Sequence, residues 1–264
     1  MYDLNYVKPK SSSDALNEHQ KSSEGKFLAG GMTLIPTLKS RLSSSDLLID
    51  LSDSDLSGIN VSGEVLNIKA MTTHADVSNS SEVQNSVSAI SDLAGQIGDH
   101  MVRNRGTIGG SVANNDPSAC YPSAVLSLDA TIKTNSREIK SDDFFTGLFE
   151  TALDEGELIT EFSFPIPEKS SYAKFSNPAS RYAVVGVFVS KFSNNVRVAV
   201  TGAGQNGVFR SNEIEQALNN NFSVNSLDEI SLDKDEMFSD IHAQSDYRAH
   251  LVVEMAKKAV KSIS

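Results

Sequence analysis

The chain has 264 residues, 39% of them hydrophobic and 22% charged, with a formal net charge of -11 and a single cysteine, Cys120. The acidic balance excludes nucleic acid or an anionic membrane as the main partner, because both demand a basic face. One cysteine excludes an internal disulfide and any cysteine-ligated cluster held by this chain alone. No basic segment followed by an apolar h-region opens the sequence, and no apolar run nears the ~18 residues of a membrane span. The expected setting is therefore cytoplasmic, with no transmembrane segment, and the length allows two or three lobes.

Tyr2 to Val7 reads as a short extended segment and Asp14-Ala-Leu-Asn-Glu18 as the start of a helix. Lys26-Phe27-Leu28-Ala29 predicts a strand running into Gly30-Gly31, followed by a helix over Thr33 to Arg41. A strand-to-helix junction of this kind brings unpaired N–H groups and the helix dipole together, which favours phosphate oxygens. Leu47 to Leu51 is a buried strand candidate, and Ser52 to Gly58 a polar connection between lobes. Two short alternating runs within Ile59 to Lys69, around Ser62-Gly63, predict a hairpin. Thr73 is a helix cap candidate, and His74 is either a flavin or metal ligand or, with no second ligand nearby, a structural residue.

Apolar residues at three- and four-residue steps predict an amphipathic helix over Ser86 to Ile97. It leads into Val102 to Pro117, where Gly106, Gly109 and Gly110 lie among arginines and small hydroxyl residues. That composition lets backbone N–H groups approach an anion, so the stretch reads as a phosphate cradle or as an ordinary glycine-rich turn. Together with Ala29 to Leu34 it offers two glycine loops some seventy residues apart, as a dinucleotide diphosphate requires. A helix over Pro122 to Ala130 and a strand over Thr131 to Thr134 follow; Phe144, Phe145, Leu148 and Phe149 are core candidates, and Glu157 to Pro165 an alternating strand. Beyond Ser170, three strands predict an antiparallel meander, covered by helices over Glu213 to Leu218 and Tyr247 to Val260.

Gly202-Ala-Gly-Gln-Asn-Gly207 satisfies G-x-G-x-x-G after a strand, with Asp228 near the distance of a ribose-binding acid. Too little chain follows for repeated parallel strand–helix units, and Asn212 with Glu215 looks like the cap of the next helix, so this glycine run reads as a turn.

Ala29-Gly-Gly-Met-Thr33 with Pro36, Arg103-Asn-Arg-Gly-Thr-Ile-Gly-Gly-Ser111, Asn115-Asp-Pro117, Leu128-Asp-Ala130 and Asp143-Phe-Phe-Thr-Gly147 stand in one order. Together they resemble the FAD-binding medium subunits of molybdenum hydroxylases, nearest to the carbon monoxide dehydrogenase branch, over nearly the whole chain. The resemblance implies an α+β fold: a two-lobed FAD-binding domain of the vanillyl-alcohol oxidase (PCMH) type, with lobes at 1–57 and 58–170, and a C-terminal α+β domain at 171–264 with a three-stranded antiparallel sheet. It implies FAD as cofactor, its diphosphate held by Ala29, Gly30, Gly31, Met32 and Thr33 and by Thr107, Ile108, Gly109, Gly110 and Ser111.

By the same resemblance Asp116 bonds the ribityl or adenosine part of FAD, against the alternative of an Asx-turn before Pro117. Lys174 and Tyr182 match a basic and an aromatic position near the flavin, or are a strand-surface lysine and a packed tyrosine. Arg103 and Arg105 either offset phosphate charge or pack against partners. Cys120 stands where many relatives carry an aspartate, and Met32 where they often carry a polar residue. The implied partners are a large molybdopterin-binding subunit and a small [2Fe–2S] subunit, in a dimer of heterotrimers. The implied role is electron transfer from the clusters to an external acceptor. Xanthine, an aldehyde or a heterocycle is the alternative substrate of the complex, and a structural subunit that has lost FAD is the alternative of another class.

Overall fold

A computed structural model describes residues 1–263. Strands β1 (Asn5–Val7), β2 (Lys26–Leu28) and β3 (Leu47–Asp50) form a parallel sheet in the order β1-β3-β2. Parallel neighbours need a crossover. Helix Ser12–His19 supplies the first, capped by Ser11, whose side chain accepts from the Asp14 N–H, and helix Leu34–Lys39 supplies the second. Ala15, Ile49 and Leu51 bury the face between them, and Met71 and Leu158 join the same cluster.

Strands β4 (Ile59–Ser62) and β5 (Val65–Lys69) form the expected hairpin, turned at Gly63 with φ +60°. Then come β6 (Thr131–Thr134), β7 (Glu138–Lys140), the short pair β8 (Phe145–Gly147) and β9 (Glu150–Thr151), and β10 (Ile159–Pro165). The sheet order β4-β5-β10-β6-β7 puts β10 at the centre, where Phe162 and Phe164 are completely buried. Helices cover that face. The helix expected over Ser86 to Ile97 runs from Ser88 to Gly95; its start is set by Val87, which leaves helical space (φ -142°, ψ 72°) with its side chain buried beside Val83 and Ile90, and a further helix, Ser81–Ser86, precedes it.

The C-terminal sheet has four strands, not three: β11 (Lys169–Ser176), β12 (Ala183–Lys191), β13 (Val196–Gly204) and β14 (Gly207–Arg210), antiparallel in chain order. The fourth is the return arm of the Gly202–Gly207 run, which is a hairpin with Gly207 at φ +97°. Strands β12 and β13 are buried at nearly every position, which explains why their sequences are unbroken apolar runs. Helix Ser245–Ile263 packs on β11 and β12, while helix Tyr121–Ser127 packs on β12 and β13.

A buried arginine ties β13 to helix Tyr121–Ser127 and to Asp142. The Arg197 guanidinium donates to the Leu126 carbonyl at 2.8 Å and pairs with Asp142 at 2.7 Å. Asp129, in the Leu128-Asp-Ala130 motif, takes φ +54° and approaches Arg197 to 3.3 Å. Two expectations fail locally. Ser211, not Asn212, is the N-cap of helix Asn212–Asn220, and Glu215 turns away to accept from the Val198 N–H at 2.9 Å and to pair with Arg210. Leu148 and Phe149 are exposed rather than core, since they form the tip between β8 and β9, with Phe149 at φ +56°.

Candidate functional site

The two glycine loops cross. Beyond β2 the chain runs through Ala29 to Thr33 into helix Leu34–Lys39. A Cβ on Gly30 would lie 2.0 Å from the Arg105 carbonyl oxygen and 2.7 Å from Gly106 Cα, so only glycine permits this crossing. Gly31, at φ +74°, turns the chain into the helix.

The second stretch is less of a loop than its sequence suggests. Helix His100–Arg103 precedes it, and Thr107 caps helix Ile108–Asn114, its hydroxyl accepting from the Gly110 N–H at 3.1 Å. The Ile108 N–H donates to Thr72 O at 3.1 Å, Gly109 to Ala70 O at 2.8 Å and Ser111 to Thr107 O at 3.0 Å. Every N–H from Ile108 to Ser111 is thus occupied. By contrast, none of the N–H groups of Gly30, Gly31, Met32 and Thr33 donates to an acceptor among the described residues.

Both stretches line one cavity of about 540 Å³. Ala29, Gly30, Gly31, Met32 and Thr33 form one wall, and Thr107, Gly109, Gly110 and Ser111 another. Ile108 does not join them: its side chain is completely buried in the core, as the first apolar residue of a capped helix would be. Gly109 packs on Ala70, whose Cβ and carbonyl oxygen would lie 2.7 Å from an added Cβ. Gly110 has more room, with Thr107 Oγ1 at 3.1 Å and Ala29 Cβ at 3.2 Å.

Asp116, Lys174 and Tyr182 reach the same cavity from three elements. Asp116 makes the Asx-turn, accepting from the Ser118 N–H at 2.8 Å, and burial raises its carboxyl above the usual range. Lys174 is no surface lysine: it is buried on β11, and its Nζ donates to Gln96 O at 3.1 Å and to Cys120 Sγ at 3.3 Å. Tyr182 stands half exposed, its hydroxyl pushed up by desolvation and by the Asp116 carboxylate. The preceding Arg181, at φ +61°, also lines the cavity and donates to Gly98 O at 3.2 Å. Nothing in the sequence marks Arg181, which arrives through a chain reversal joining two strands.

His74 lies beneath the second stretch and lines the cavity too. Burial, then the Arg103 charge, lowers its pKa to about 4, so the ring is neutral at physiological pH. The His74 backbone N–H donates to Gly106 O at 2.9 Å, while ring Nδ1 has no hydrogen-bond partner among the described residues. Arg103 does not face the cavity; its guanidinium holds the carbonyls of Ile97 and Gly98 at 2.9 and 3.0 Å. Arg105 contributes its carbonyl to the crossing at Gly30.

The remaining motifs stitch the site to its frame. Asn115 is the left-handed C-cap of helix Ile108–Asn114, and its Nδ2 donates to Gly147 O and Glu150 O, both at 2.8 Å. That joins Asn115-Asp-Pro117 to Asp143-Phe-Phe-Thr-Gly147. The Gly202 N–H donates to Pro117 O at 2.8 Å, and a Cβ there would lie 2.6 Å from Ala183 O. The glycines of the G-x-G-x-x-G run therefore serve sheet packing beside the site.

Residues 2–167 match the model of the FAD binding domain in molybdopterin dehydrogenase. The chain belongs to that family. It is FAD-binding, and its relatives are subunits of oxidoreductases. The glyceraldehyde dehydrogenase medium chain of Sulfolobus acidocaldarius is 31% identical over 99% of both chains. The nicotine 6-hydroxylase medium subunit of Paenarthrobacter nicotinovorans is 29% identical over 97% of this chain and 96% of that one. Among solved structures, a chain of CO dehydrogenase from Oligotropha carboxidovorans superposes with a TM-score of 0.90 at 28% identity, covering 98% of this chain and 97% of that one.

The cavity's chemistry fits the cofactor. Consecutive N–H groups from Gly30 to Thr33 without an acceptor among the described residues suit a diphosphate, and the missing Cβ at Gly30 and Gly110 lets the two stretches close on each other around it. Among the described residues, no group of three or more His, Cys, Asp or Glu side chains could hold a metal ion, and no helix is long and apolar enough to cross a membrane.

Proposed function

We propose that this chain is the FAD-carrying electron-transfer subunit of a three-subunit molybdenum hydroxylase. It takes electrons from the [2Fe–2S] clusters of a small partner and passes them to an external acceptor, while substrate is oxidised on a large molybdopterin subunit. The supporting observation is the run of N–H groups without an acceptor among the described residues at Gly30 to Thr33, residues that line one cavity with Lys174 and Tyr182. Bound FAD supplies the one redox centre; the chain holds and orients it.

In this reading the first loop's N–H groups, with the hydroxyls of Thr33 and Ser111, bind the diphosphate. Thr107, Gly109 and Gly110 form the wall that keeps the loop in place, and the Ile108 backbone anchors that wall. Asp116, with its raised pKa, faces a ribityl or adenosine hydroxyl, and Lys174 and Tyr182 flank the ring system. The frame is a two-lobed PCMH-type domain, 1–57 and 58–170, with 171–264 as the C-terminal domain. The complex is a cytoplasmic dimer of heterotrimers.

The reaction of the whole complex is carbon monoxide oxidation, the reading favoured by the family motifs and by the CO dehydrogenase likeness. Oxidation of an aldehyde is the second reading, favoured by the glyceraldehyde dehydrogenase relative. Purification of the native complex with molybdenum, iron and flavin analysis tests the class: all three must co-purify, and a flavin-free complex contradicts it. Reduction of that complex by carbon monoxide, and not by glyceraldehyde, separates the two substrates.

A further inference from the structure

Cys120 and Lys174 meet at the inner wall of the cavity. Cys120 flanks helix Tyr121–Ser127, is 4% exposed, and lines the cavity with Lys174. Lys174 Nζ donates to its Sγ at 3.3 Å, and no carboxylate among the described residues pairs with this ammonium. Residues two apart on a strand share a face, so Tyr172 stands beside Lys174 on β11. The Tyr172 hydroxyl is buried beside Cys120, and burial first, then that neighbour, raise its pKa so that it keeps its proton. Even so, it has no hydrogen-bond partner of normal geometry among the described residues.

An ammonium and an unused hydroxyl converging on the one thiol of the chain make a place to build and hold a sulfur–oxygen anion. We infer that Cys120 is a site of two-electron oxidation by hydrogen peroxide. The sulfur, as thiolate, attacks one peroxide oxygen; the S–O bond forms, the O–O bond breaks, and the departing hydroxide takes up the proton lost from the thiol and leaves as water. Sulfur is oxidised by two electrons and peroxide is reduced, giving a sulfenic acid. Its oxygen accepts from Lys174 Nζ and from the Tyr172 hydroxyl, which gives that buried donor the acceptor it lacks. The Lys174 charge supports the negative charge first on sulfur and then on oxygen. The site stands on residues of this chain alone; only the supply of peroxide, formed where reduced flavins meet dioxygen, rests on the proposed function.

The full chain, stripped of flavin or loaded with FAD, is treated with hydrogen peroxide and dimedone and read by intact and peptide mass. We expect one adduct, on Cys120, in the flavin-free chain. Lys174→Met slows its formation about tenfold, and Lys174→Arg, which keeps the charge, restores the rate. Two results overturn the inference: a folded chain that forms no adduct while its urea-unfolded form labels fully, or Lys174→Met labelling as fast as the parent. The flavin-free arm needs no cofactor, so an adduct that forms there but is not blocked by FAD faults the cofactor seat and leaves this site standing.

Discussion

The first and second glycine stretches look alike in sequence and differ in what their backbones do. Residues 30–33 carry N–H groups with no acceptor among the described residues, whereas residues 108–111 have theirs committed to Thr72, Ala70 and Thr107. One is a donor surface; the other is a wall built to close tolerance. A glycine signature thus shows where backbone comes close, and the hydrogen bonds around it decide whether the close approach serves a ligand or another strand of the same chain.

The sharpest way to break that comparison is at the crossing. Gly30→Ala drives a Cβ into the Arg105 carbonyl, and we expect it to cost ~3 kcal/mol or more and to abolish bound flavin, read by thermal unfolding and visible absorbance. Near-normal stability in that variant would mean that the loops do not touch.

His74 tests the wall from beneath. Its folded pKa of about 4 lies below the ordinary 6.5, so the unfolded chain takes up the proton first. The stabilisation is complete above pH 6.5 and is lost as pH falls toward 4, up to about 3 kcal/mol. Urea titrations should show this slope in the parent and not in His74→Phe; equal slopes would remove His74 from the account.

Gly110→Val probes the cavity side of the same wall. With contacts of 3.1 and 3.2 Å already at Cβ, the fold should survive with Tm lowered by about 4 °C or less. FAD affinity should fall at least about tenfold, or ~1.4 kcal/mol, in a flavin titration. Full affinity would place the cofactor away from this wall. Thr107→Val, the mildest change, removes the cap and should cost ~1 kcal/mol in denaturant unfolding, with FAD retained.

Much of the fold was legible. The hairpin at Gly63, the three N-terminal strands, the Thr73 cap and the C-terminal helices follow from periodicity and capping residues. Some features were hidden for physical reasons. Helix Ser81–Ser86 was not legible, and Val87, non-helical and buried, separates it from Ser88–Gly95. Leu148 and Phe149 look like core and instead form a turn held by the distant Asn115 amide. For the site, Ala29 to Thr33 and Thr107 to Ser111 could be named from sequence. Which of them keep free donors depended on Ala70 and Thr72, contacts that no local pattern reports. Lys174 was open between surface and site because its burial depends on helix Ser88–Gly95 packing on β11, a contact distant in sequence.

The asymmetry between the two stretches is most directly tested by amide hydrogen exchange on the chain without and with FAD. The amides of Gly30, Gly31, Met32 and Thr33 are expected to exchange quickly in the flavin-free chain and to become protected when FAD binds, while those of Ile108 to Ser111 are protected in both states. New protection at 108–111 with none at 30–33 would contradict it.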